Sequence, residues 1–183
     1  MRMQLAAIAF GLLTGAPPLV QAQARPGPAE AVAAAWLVAH AAMEREDVWM
    51  LNGGLEALQI LTDMSRAPER WTDRLTTFDD ELRFLTRGQA LPERATAADG
   101  AAALSITEVP VPSGGAVSIA PTSAPYTILI EPGPGIEASS GQCNAPAPGL
   151  ALLCHTQGDV VLKNPAETDA TVFLAVPVAE TRP

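Results

Sequence analysis

VWMLNGGLEALQILTDM, residues Val48–Met64, decides how the chain is read. At 100° per residue, Val48, Leu51, Leu55 and Leu58 form one seam, while Trp49, Met50, Ile60, Leu61 and Met64 cover the flanks and back. A helix that is apolar nearly all round is expected inside a fold, so this one is the predicted centre of a small helical unit. Its one polar line is Asn52, Glu56, Gln59 and Asp63, at spacings of 4, 3 and 4. That line is either the wet edge of the helix or the lining of a groove for a polar ligand, because buried polar groups need partners. The weak point is Asn52-Gly53-Gly54, since each glycine costs about 1 kcal/mol in a helix interior. The chain either turns there or uses the missing side chain to admit a neighbouring backbone.

Two further helices flank this stretch. Before it, Pro28 to about Asp47 is Ala-rich, with Val32, Trp36, Ala39, His40 and Met43 on one side and a proline suited to the first turn. His40 sits inside the apolar stripe and reads as a packed core residue rather than a ligand. After it, Pro68 to Arg87 repeats Trp71, Leu75, Phe78, Leu82 and Leu85 at 4, 3, 4 and 3, a single core-facing seam. Glu69 lies at its positive end, Arg83 and Arg87 at its negative end, and Gly88 is placed for the C-cap. Burying five such side chains is worth on the order of 10 kcal/mol before chain entropy is subtracted. Phe84 points away from the seam, toward either the next part of the chain or a partner.

Composition changes near residue 95. All three Trp and eight of the nine Arg from Arg25 onward precede it, whereas Tyr126 and most β-branched residues follow it. Strand-length runs then appear at Leu104–Val109, Ala116–Ala120, Tyr126–Glu131, Leu150–His155, Asp159–Lys163 and Thr171–Val176, separated by PVPSGG, EPGPG and NAPAPG. The last two runs read as a hairpin closed by Asn164 to Asp169. The predicted fold is α+β: a three-helix unit over residues 25–95, a linker at 96–102, and a small antiparallel β-sandwich of immunoglobulin-like size over 103–183.

Residues 1–24, MRMQLAAIAFGLLTGAPPLVQAQA, have one Arg, a short apolar run from Leu5 to Leu13 and small residues before Ala24. This is the pattern of a cleaved secretory signal peptide. About nine apolar residues are too few for a membrane span, which needs roughly twenty. Export to the periplasm or the medium is expected, and with it a disulfide between the only cysteines, Cys143 and Cys154. Closing so short a loop is worth about 3 kcal/mol of chain entropy and would brace the NAPAPG loop at its base. The spacing is too short for the inter-sheet bridge of antibody domains.

Losing Arg2 with the leader reduces eleven basic residues to ten against twenty acidic ones, a net charge of about −10. That balance argues against nucleic acid and against anionic membrane surfaces. The preference for Arg, Ala and Pro is expected of a GC-rich bacterial genome.

The catalytic reading is subtractive. His40 and His155 are the only histidines, one inside a helical stripe and one after a bonded Cys, so neither suits a Ser-His-acid site. Three or four converging zinc ligands and an oxygen-rich calcium loop are missing from the pattern, as is a phosphate-binding Gly loop. The acidic run Asp79-Asp80-Glu81 reads as a solvated helix face in which Asp79 pairs with Arg83. No catalytic, cofactor or metal residues are assigned. The expected function is a non-enzymatic binding or accessory module for a protein or glycan of the bacterial envelope. Its candidate surface is Asn52, Glu56, Gln59, Asp63 and Phe84. Two other readings are an oligomeric assembly component, with the Trp71-to-Leu85 seam between subunits, and a carboxylate-dependent enzyme acting on envelope polymers.

Overall fold

Three helices precede eight strands: α1 (Pro28–Arg45), α2 (Val48–Leu61), α3 (Glu69–Thr86), then β1 (Leu104–Val111), β2 (Ala116–Ile119), β3 (Tyr126–Ile130), β4 (Glu137–Ser139), β5 (Cys143–Ala147), β6 (Ala151–Cys154), β7 (Val160–Lys163) and β8 (Ala170–Pro177). The computed structural model describes residues 26–87, 91, 104–133, 135–139, 143–147, 149–155 and 158–178. The expected leader, the linker at 96–102 and Gly88 lie outside them. The α+β architecture matches expectation, with all strand pairs of the two sheets antiparallel.

Each helix follows from its local chemistry. Glu30 accepts the Gly27 N–H at 3.1 Å at the start of α1, and Asp47 accepts the Met50 N–H at 3.0 Å to cap α2. α2 runs unbroken through Gly53-Gly54. A side chain at Gly54 would place its Cβ 3.0 Å from the Ala39 nitrogen and 3.2 Å from the Ala35 oxygen, so its absence lets α1 and α2 cross at close range. Gly53 faces open space. α3 ends with Arg87 in the left-handed conformation (φ 51°), its N–H donating to the Phe84 carbonyl at 3.1 Å.

The strands form a five-stranded sheet, ordered β1-β8-β3-β6-β5, and a three-stranded sheet, ordered β2-β7-β4. Side-chain alternation gives the larger sheet two apolar faces. Leu104, Ile106, Leu129, Ala151, Phe173 and Ala175 pack against the helices. Val111, Tyr126, Ile128, Ile130, Leu152 and Val172 pack with Ile119, Val160 and Leu162 of the smaller sheet. β3 lies at the centre, and all five of its residues are buried. The molecule therefore has three layers, helices on a shared sheet on a second sheet, and the helical core extends across the change in composition.

Two sequence expectations are corrected. Asn164 to Asp169 do not close a hairpin, because β7 belongs to the small sheet and β8 to the large one. The segment is a corner, held by buried Asn164, whose amide donates to the carbonyls of Val111 (3.0 Å) and Thr168 (2.8 Å). β4 and β5 are additional strands in Gly/Pro-rich sequence. β5 contains Pro146, which an edge strand tolerates because no partner needs its missing N–H.

Candidate functional site

The candidate site lies between α2 and α3, whose apolar seams splay enough to leave an open groove of about 280 Å³. Gln59 and Met64 contribute from the α2 side; Thr72, Leu75, Thr76, Asp79, Asp80 and Arg83 contribute from α3. α3 is fixed from below by its seam: Trp71, Leu75, Phe78 and Leu82 are buried as expected. Polar ties to the sheet hold it laterally. Arg74 donates twice to Glu131 Oε1 (2.9 and 2.6 Å), Arg70 donates to the Thr171 hydroxyl, and Arg70 lies 3.4 Å from Glu108. The groove wall is thus mounted on a rigid support.

Two threonine hydroxyls, two carboxylates, the Gln59 amide and the Arg83 guanidinium supply the polar lining. The Thr76 hydroxyl donates its proton to the Thr72 carbonyl at 2.9 Å, and the Thr72 hydroxyl faces the Pro68 carbonyl at 3.5 Å. Both oxygens therefore present lone pairs outward. Arg83 pairs with Asp79 at 2.8 Å, the expected i,i+4 partner, leaving the groove with one carboxylate in excess. Met64 and Leu75 add apolar surface.

The polar line read from the sequence does not stay together. Asn52 is 7% exposed, so it is no part of a wet edge; Glu56 and Gln59 are half-buried. Of the four, Gln59 lines the groove. Asp63 lies beyond the helix and accepts from the Ser65 hydroxyl (2.6 Å) and N–H (3.1 Å), which hold its carboxyl below the usual range. Its own N–H donates to the Leu104 carbonyl at 3.0 Å, tying the end of α2 to β1. Phe84 is 75% exposed.

The back of α2 departs from expectation. Trp49 is 71% exposed, so the helix is buried on the sides facing α1 and α3 and open where Trp49 stands; Met64, 37% exposed, lies beyond the helix end and lines the groove. Apolar sequence on that side reflects exposure rather than a fourth packing partner. Thr72, Asp80 and Arg83 were missed because they read as a solvated face. The available signal was that Thr72, Thr76, Asp79 and Arg83 recur at 4, 3 and 4 beside the apolar seam.

His40 is 7% exposed, its ring 4.5 Å from Trp36 and 5.1 Å from Phe78 in edge contacts, and burial beside Arg74 pushes its pKa down to about 4. Its Nε2 is one of three buried polar atoms without a partner among the described residues, with Trp71 Nε1 and Tyr126 Oη. His155 is exposed after β6. Cys143 and Cys154 are bonded as expected and directly opposed across β5 and β6, but Asn144–Ala147 of the expected NAPAPG loop belong to strand β5. Among the described residues no three His, Cys, Asp or Glu side chains converge as a metal site, and no helix is long and apolar enough to cross a membrane. A second concavity, about 300 Å³, lies by Lys163, Glu137 and the Gly114-Gly115 turn. No protein-family model, curated protein or solved structure matches the chain.

Proposed function

We propose that the chain is an exported, non-enzymatic binding module that holds a protein or glycan of the bacterial envelope in the α2–α3 groove. The observation that carries this reading is a lining that sets polar groups with one carboxylate in excess beside apolar ones. The Gln59 amide, the Thr72 and Thr76 hydroxyls, Asp80 and the Asp79–Arg83 pair stand with Met64 and Leu75. Such a surface suits a ligand that donates hydrogen bonds, as sugar hydroxyls or basic side chains do. Trp49 and Phe84, exposed on the same two helices, are the aromatic type that interfaces favour. The leader-like N-terminus and the disulfide support export. The groove reading keeps Gln59 from the sequence-derived surface and adds Asp80 and Arg83.

The test is capture from an envelope extract, followed by titration of the identified partner against Gln59→Ala and Asp80→Asn proteins. Binding should weaken at least tenfold (about 1.4 kcal/mol) in each variant with melting temperature unchanged. Wild-type affinity in both variants, or no specific partner, would end this reading.

For the assembly reading, the Trp71-to-Leu85 seam packs within the chain. The carboxylate-enzyme reading gains one observation: Asp79 and Asp80 share a concave groove. Retaining and inverting glycosidases need two available carboxyls, and Asp79 is engaged by Arg83. Hydrolysis of an envelope glycan abolished by Asp80→Asn would favour that reading over simple binding.

A further inference from the structure

We propose that the Cys143–Cys154 disulfide is a redox-sensitive clasp on a removable edge strand, so that reduction releases β5 and leaves the rest of the fold in place. The proposal is independent of the groove between α2 and α3.

β5 is the outermost strand of the large sheet and pairs with β6 alone. Its register with β6 holds at Cys143↔Cys154 and Asn144↔Leu153, then slips before Ala147↔Ala151. Pro146 has no N–H to donate, and Asn144, Ala145 and Pro146 are all exposed. Cys143 packs against the sandwich core. An edge strand with an interrupted ladder and an exposed middle is held less securely by pairing than an inner strand, and the disulfide adds a covalent tie at its start.

β6 differs in each respect. It pairs with β3 through four consecutive residues, places Ala151 in the helical core and gives Leu152 and Cys154 to the sandwich core. Losing β5 would turn β6 into an edge and, among the described side chains, remove only Cys143 from the packing of the sandwich core.

The two sulfurs are unequal in access. Cys154 is fully buried, whereas Cys143 is half-buried. A thiolate from an external dithiol therefore reaches Cys143 Sγ, forms a mixed disulfide there and expels the Cys154 thiolate, which takes a proton. The second thiolate of the dithiol then attacks its own sulfur in the mixed disulfide and displaces the Cys143 thiolate. The dithiol ends as a disulfide and the protein as two thiols, a balanced two-electron exchange.

Amide hydrogen exchange of the whole protein, oxidised and after dithiothreitol treatment, tests the proposal. Residues 143–147 and the β5-facing amides of 151–154 should exchange at least tenfold faster when reduced, with α1, α3, β3 and β8 within about twofold of the oxidised rates. Loss of protection throughout, or unchanged protection in β5, would overturn it. The Cys143→Ser/Cys154→Ser protein should fold and reproduce the reduced pattern; failure to fold would show that β5 is integral. A dithiol oxidoreductase whose resolving cysteine is replaced by Ser should be trapped on Cys143, and trapping on Cys154 would contradict the assigned order of attack.

Discussion

The two faces of the five-stranded sheet are packed with different materials. Toward the helices stand Trp36, Trp71, Phe78 and Phe173, the two Trp rings stacked at 5.6 Å and Phe173 edge-on to both at 6.1 and 5.2 Å. Toward the second sheet the core is mostly Val, Ile and Leu, with Tyr126 the one aromatic among the described residues. Two pleated sheets meet at a regular spacing that β-branched side chains fill well. Helices laid on a sheet leave uneven gaps, and large rings fill these while making favourable edge and stacked contacts. The difference concentrates energy in a few residues on the helical side and spreads it on the other.

Replacing Trp36 by Ala should break the comparison most severely. It removes the stacking partner of Trp71 and the indole N–H that donates to the Ile130 carbonyl at 3.2 Å, which ties α1 to β3. Urea unfolding should show a loss of about 4 kcal/mol, against about 1 kcal/mol for Ile128→Val on the opposite face.

The next effect comes from His40, the buried histidine of the helical core. Its ordinary pKa of 6.5 falls to about 4 in the folded chain, chiefly through burial and secondly through Arg74, which is itself paired with Glu131. Between those values the unfolded chain binds the proton and the folded chain does not. Stability should therefore fall as pH drops through that window, by about 3 kcal/mol in total. A His40→Leu protein should lose most of this slope in unfolding experiments at pH 6.5, 5.5 and 4.5.

A smaller contrast lies within α2. Gly54→Ala should cost about 2 kcal/mol by forcing α1 away, whereas Gly53→Ala should gain about 1 kcal/mol because its side is open. Parallel thermal melts of the two proteins measure both signs.

The legible parts of the fold were those in which one face of an element is buried. The seams of α1 and α3 could be read because their apolar spacing matches a single packing direction. The disulfide could be read from cysteine count and context. Tyr126–Ile130 was legible as a strand, while its continuous apolar run was also the sign of a strand covered on both faces, and so of a shared sheet. Periodicity failed where Pro and Gly interrupt pairing, at β4 and β5. Hydrophobicity failed on α2, since apolar side chains such as Trp49 also occur on surfaces. The candidate groove was half legible: Gln59 belonged to a visible pattern, but its facing wall depends on how α3 lies against α2.

The central structural claim is that helices and sandwich are joined through one sheet. Urea unfolding followed in parallel by Trp fluorescence, which reports the ring cluster on the helical side, and by the amide-I infrared band of the strands tests it most directly. The account predicts one cooperative transition with coincident midpoints for the two signals. Loss of the buried-Trp signal at a lower urea concentration, with the strand signal intact, would contradict it.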